Sequence, residues 1–197
     1  MNIVRNDWWV TPIWEIQTDF DSQFNNEILR EANSSDHINV WNNNTPAITQ
    51  LKEYTLQIVT ELAAPYISKN FRDFKFWHTN GWINYCSNGE YIPIHGHGGP
   101  KIALTYYIKT SENCGDLLLI DPRNGCDWDN EIDGVNGAKF KRIKPVEGKI
   151  VFFPGFLLHT IEPNKSSETR VSLSSNMGTF DSDNVTKKLY DSLIQNG

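Results

Sequence analysis

Two of the five histidines in this 197-residue chain stand one residue apart, His95 and His97, within Ile-Pro-Ile-His-Gly-His-Gly-Gly-Pro. Side chains at i and i+2 of an extended segment leave the same face, and imidazole is a ligand suited to iron, zinc, copper and nickel. The pair is a candidate for two arms of a metal site. The competing reading is a hydrogen-bonded polar pair at a strand end. A third ligand must come from elsewhere, and His159 follows an apolar run and a Pro154-Gly155 turn. Eleven positions later comes Arg170, and along that segment Arg170, Ser172 and Ser174 alternate with Val171 and Leu173. An arginine and a serine on one strand face can hold a carboxylate through a charge-assisted fork and a hydroxyl donor.

Strands must carry these residues, and the second half of the chain offers them. From residue 76 onward, β-branched and aromatic runs alternate with Gly, Pro, Asn and Asp, which predicts eight strands near 76–86, 91–95, 101–109, 116–121, 139–144, 148–153, 157–162 and 168–176. Eight short strands with turn signals between them predict a sandwich or jelly-roll barrel. Before residue 75 the period is helical. Phe24, Ile28 and Leu29 follow a capping Asp21 or Ser22, and Ile48, Leu51, Thr55, Ile58, Val59 and Leu62 form one stripe behind Thr45-Pro46. Pro65 is positioned to kink or end that second helix. The expected layout is a single domain with a helical part at 1–75, a jelly-roll core at 76–177 and a C-terminal helix at 178–197. Trp14 and the earlier Asp-Trp-Trp are expected to pack the helices onto the barrel.

Composition narrows the function classes. A net charge of -6 and a pI near 5.3 exclude a broad nucleic-acid-binding face. No apolar run spans a bilayer and the N-terminus lacks a secretion-signal layout. Cys86, Cys114 and Cys126 form neither a CxxC pair nor an even disulfide set, so they read as reduced thiols of a cytoplasmic protein. The acidic stretch at 122–138 begins like a calcium loop with Asp129, Glu131, Asp133 and Gly134, but its twelfth position is Phe140 where a glutamate is needed. Calcium is rejected, and the stretch reads as a solvated loop or a lid.

His-x-[Asp/Glu], a distant His and then Arg-x-Ser form the signature of the 2-oxoglutarate- and Fe(II)-dependent dioxygenases, and residues 77–177 resemble it. The chain is most similar to the group, within the prolyl-hydroxylase-like branch, that carries "HGH", "GDLLLIDPR" and "FPGFLLH" as they stand here. The resemblance implies a double-stranded β-helix, a cupin-like jelly roll with N-terminal helices packed on the sheet. It implies His95 and His159 as iron ligands, with His97 standing where most of the superfamily has a carboxylate. It further implies Arg170, Ser172 and Tyr107 as holders of the far carboxylate of 2-oxoglutarate. Near the metal, Tyr85 is the first choice by spacing and Asn84 the alternative.

Three neutral imidazoles leave the site one negative charge poorer than a two-histidine, one-carboxylate triad. Asp116 or Asp121 could instead replace His97, but the His-x-His spacing already supplies the geometry. The implied activity is a hydroxylase that consumes 2-oxoglutarate and O2, releases succinate and oxidises a peptide or small molecule. A cupin-type three-histidine dioxygenase or isomerase that does not use 2-oxoglutarate, and a non-catalytic jelly-roll binding module, are the alternatives. Arg170-x-Ser172 argues against the first of these and the ordered histidine set against the second. Arg123 is expected to fix its turn by a salt bridge, and His37 and His78 to be structural or surface residues.

Overall fold

The computed structural model describes residues 11–33, 39–67, 74–123 and 140–181. Nine strands and two helices follow one another: β1 Trp14–Gln17, α1 Ser22–Asn33, α2 Pro46–Ile67, β2 Phe74–Cys86, β3 Ile92–His95, β4 Ile102–Lys109, β5 Leu117–Ile120, β6 Phe140–Ile143, β7 Lys149–Pro154, β8 His159–Ile161 and β9 Arg170–Asp181. They form a five-stranded sheet in the order β1-β7-β4-β9-β2 and a four-stranded sheet in the order β3-β8-β5-β6. Every pairing is antiparallel. From β2 onward, successive strands cross between the two sheets, except that β5 and β6 pair side by side in the smaller one, the winding of a jelly roll.

Period-two alternation divides the larger sheet between two cores. Ala103 and Tyr107 of β4 and Val151 and Phe153 of β7 turn inward, meeting Leu117, Leu119 and Ile161 of the smaller sheet. Their neighbours Leu104, Tyr106, Ile150 and Phe152 turn outward against Ile28, Ile48 and Leu51 of the helices. A central strand covered on both faces reads as a continuous apolar run, and β4 is buried from Ile102 through Ile108.

The helices start by different devices. Asp21 Oδ1 accepts from Phe24 N at 2.8 Å, an N-cap for α1. At α2 the Thr45 hydroxyl is buried without a partner. The cap comes instead from α1, where buried Glu31 accepts from Ala47 N and Ile48 N at 3.0 and 3.1 Å. That carboxylate also sits at the positive end of the helix dipole. Pro65 does not end α2, whose backbone stays helical through Ile67.

The segment around Trp14 does more than pack. Trp14 packs against the helix-side core, but its segment is itself a strand, paired with β7 from Trp14↔Phe152 to Gln17↔Lys149. Residues 178–181, expected to open the C-terminal helix, instead continue β9 in pairing with β2; the rest of that expected helix, the Asp-Trp-Trp motif, His37, Cys126 and the 122–138 stretch beyond Arg123 lie outside the described residues. Among those described, no helix is long and apolar enough to cross a membrane.

Candidate metal centre

β3 ends on His95 and β8 begins on His159, and the two are direct cross-strand partners. Each ring turns back on its own backbone. His95 Nδ1 lies 2.8 Å from the Pro93 carbonyl and His159 Nδ1 lies 2.8 Å from that of Leu157. A carbonyl only accepts, so each Nδ1 carries the proton and each Nε2 keeps its lone pair. A carbonyl bonded to the far ring nitrogen in this way fixes the tautomer and orientation that a metal-binding imidazole needs. His97 enters from the following loop. The ligand atoms of the three histidines all lie within 4.8 Å of one another.

Burial favours the uncharged form of two of the three rings, His97 and His159. Burial, outweighing the Leu157 hydrogen bond that favours the charged ring, brings the His159 pKa down to about 4, helped by His95 and His97. His97 is lowered by burial and then by His95. Uncharged rings with free lone pairs are the state that metal binding requires.

No carboxylate among the described residues joins the three histidines. Asp116 faces Arg142 at 3.3 Å. Asp121 is held by Arg123, whose Nε donates to both carboxylate oxygens at 2.9 and 3.1 Å.

The histidines border a cavity of about 110 Å³ whose wall also includes Trp82, Asn84, Ser174 and Phe153. Further along β9, Arg170 and Ser172 are 1% and 0% exposed. Arg170 Nη1 donates to the carbonyls of Cys114 and Gly115 at 3.2 and 3.0 Å. Its Nε and Nη2, and the Ser172 hydroxyl, have no partner among the described residues. Buried donors left unpaired cost on the order of 1–3 kcal/mol each, more for charged groups, so this cradle is built for an anion. Tyr107, the register partner of Ser172, is equally buried. Burial raises its phenol pKa and keeps it protonated, although Arg170 pulls the other way. Arg170, Ser172 and Tyr107 do not line the 110 Å³ cavity; Arg170 and Ser172 lie beyond Ser174 on the same face of β9, and Tyr107 stands beside Ser172 on β4.

Tyr85 is not brought to this site. Its side chain is 51% exposed, and its hydroxyl donates to Asn33 Oδ1 of α1 at 2.9 Å. Asn84 lines the cavity instead. The reason is a bulge: the β2–β9 register runs His78↔Met177 and then Asn80↔Asn176. One extra residue reverses the strand's parity. Even-numbered residues face the helices up to His78 and the barrel interior from Asn80 onward. Trp82, also on the cavity wall, is not marked by the sequence, whereas Ser174 is, through its alternation with Val171 and Leu173 on the Arg170 face. The signal for Trp82 is its alternation with Asn84, which becomes readable only once the bulge is placed.

Residues 80–176 match the family model described as "Putative 2OG-Fe(II) oxygenase". No curated protein matches the chain. Among solved structures it is similar to a Pseudomonas putida prolyl-4-hydroxylase, with a TM-score of 0.59 and 14% identity, covering 86% of this chain and 87% of that one. It is similar to HygX of Streptomyces hygroscopicus, solved with nickel and 2-oxoglutarate, with a TM-score of 0.58, 13% identity and coverage of 85% and 82%. AviO1 of Streptomyces viridochromogenes gives a TM-score of 0.58 at 14% identity, over 85% and 90%. At these identities the likeness is one of fold, and that fold is the jelly roll described above.

Proposed function

We propose, from the match of residues 80–176 to the 2OG-Fe(II) oxygenase family, that the chain is one of these enzymes, that His95, His97 and His159 hold the iron, and that Arg170 and Ser172 hold the far carboxylate of 2-oxoglutarate. The enzyme is an oxidoreductase using Fe(II), 2-oxoglutarate and O2. Bound together, these supply the oxidising power, with 2-oxoglutarate converted to succinate and carbon dioxide as substrate is oxidised.

The protein's own part is binding and orientation. The Pro93 and Leu157 carbonyls keep the Nε2 lone pairs of His95 and His159 free for the metal. The Cys114 and Gly115 carbonyls occupy Arg170 Nη1, leaving Nε and Nη2 as a fork for one carboxylate. Tyr107 adds a phenol donor from the neighbouring strand. Asn84 takes the cavity-side role in place of Tyr85. The 76–177 barrel is then the catalytic unit, and the N-terminal helices are its outer support. The substrate in this reading is a peptide or small molecule hydroxylated at a C–H bond, and the setting is the cytosol.

The observation that carries the proposal is the pair of unmet demands on one barrel interior. Three neutral nitrogens converge, and a buried guanidinium nearby has two unpartnered nitrogens. The test is anaerobic difference spectroscopy with Fe(II) and then 2-oxoglutarate. A weak visible charge-transfer band that needs both additions, and that Arg170→Ala abolishes, is expected. Stoichiometric iron binding with no band at any 2-oxoglutarate concentration would hand the site to the cupin-type alternative.

A further inference from the structure

Trp82, Asn84 and Ser174 form a hydrogen-bonded row with a fixed direction. Trp82 Nε1 donates to Asn84 Oδ1 at 3.1 Å, and Asn84 Nδ2 donates to Ser174 Oγ at 2.7 Å. An indole N–H can only donate, so it decides which end of the amide faces it and turns the amide nitrogen toward Ser174. Ser174 Oγ therefore receives a proton, and its own hydroxyl hydrogen is committed to no acceptor among the described residues. All three side chains border the histidine cavity, whose remaining wall includes Ile92, Leu117 and Phe153. The row delivers one hydroxyl donor into a largely apolar chamber beside the candidate ligands.

We propose that Ser174 binds the metal-side, 2-oxo-acid end of 2-oxoglutarate by donating to a carboxylate oxygen, with Asn84 and Trp82 as the positioning residues that set the donor's direction. This assignment rests on the cosubstrate reading above. The placement follows from β9, where Arg170, Ser172 and Ser174 share one face at intervals of roughly 6.6 Å. Arg170 and Ser172 are the unpartnered donors at the buried end, and Ser174 is at the histidine end. A dicarboxylate laid along this face meets a donor at each end. The polarity also says what the ligand atom is: an acceptor, not a second donor.

The experiment titrates Ni(II)-loaded protein calorimetrically with 2-oxoglutarate and, separately, with oxalate, which has a metal-chelating end and no distal arm. Ser174→Ala should weaken both ligands about tenfold, the size of one hydrogen bond to a charged group, with nickel affinity unchanged and Ser174→Thr restoring the loss. Asn84→Asp should weaken both further, because the introduced carboxylate only accepts and draws the Ser174 proton away from the cavity. Arg170→Met should weaken 2-oxoglutarate far more than oxalate. If wild type binds both ligands and Ser174→Ala stays within twofold for each, the Ser174 assignment is overturned and the cosubstrate reading stands. If wild type binds nickel and neither ligand, the cosubstrate reading fails and takes this assignment with it.

Discussion

The backbone amide of His97 donates to the carbonyl of Gly155 at 2.9 Å, and the Gly155 amide donates to Lys101 at 3.1 Å. These two bonds lash the His-Gly-His-Gly-Gly-Pro loop to the Pro154-Gly155 turn. The approach is so close that a β-carbon on Gly155 would stand 2.5 Å from the Pro100 carbonyl oxygen. His95 and His159 are placed by strand pairing. His97 is placed by this contact, so it is the candidate ligand most exposed to a change in the turn.

Gly155→Ala should therefore damage metal binding more than folding. A shift of about 1 Å in one ligand spoils a geometry that tolerates roughly half that. The expected outcome is at least tenfold weaker Ni(II) or Fe(II) binding by titration, with the apo protein still folded but melting at a lower temperature because the clash is with backbone. Metal affinity equal to wild type would show that the loop holds His97 without the turn.

The bulge in β2 is clamped from the 3-10 turn at Val40–Asn42 that precedes α2. Asn39 Oδ1 accepts from Gly81 N at 2.9 Å and Asn39 Nδ2 donates to the Thr79 carbonyl at 3.4 Å. The Trp41 indole lies over Gly81 so closely that a β-carbon there would be 2.2 Å from its Nε1. Gly81→Ala should cost about 1–3 kcal/mol of stability, the usual range for overpacking. It should also weaken 2-oxoglutarate binding by displacing Trp82 and Asn84. Denaturant midpoints and the same ligand titrations check both effects. A destabilised variant with unaltered 2-oxoglutarate affinity would separate the clamp from the cavity.

Acid stability should depend on His78. Its ring is stacked on Trp41 with centroids 4.1 Å apart. Its two nitrogens meet Thr55 Oγ1 at 3.0 Å and Ser175 Oγ at 2.8 Å. Burial, with a smaller push from the Lys52 ammonium, lowers its pKa from 6.5 to about 3. The unfolded chain binds the proton more readily, so stability from this group is complete above pH 6.5 and falls as the pH drops toward 3. His159 acts in the same direction in the metal-free protein. Comparing wild type with His78→Gln in urea at pH 7, 5 and 4 isolates the His78 share: the variant should start less stable and lose less between pH 7 and pH 4. Parallel pH profiles would contradict it.

Much of the barrel was readable residue by residue. All eight expected strands occur, the ligand candidates stand at β3, its following loop and β8, and Arg170 opens β9. These features are local: a strand's period, a turn's glycine and proline, and the spacing of two histidines survive in one dimension. The resemblance to the oxygenase signature added the order in which they matter. Tyr85 shows the limit of that kind of reading, because spacing alone favoured it over Asn84.

What the amino-acid sequence determined by itself was the menu of elements and the identity of the groups available for chemistry. Tertiary structure decided which way those groups face. The parity of β2 depends on one bulged residue held by Asn39 from 40 positions away, the cap of α2 on Glu31 from the preceding helix, and the row from Trp82 to Ser174 on a contact spanning 90 positions. A one-residue slip sends every side chain of a strand to the opposite face. Contacts between distant segments choose between the two registers, and they exist only once the chain has folded.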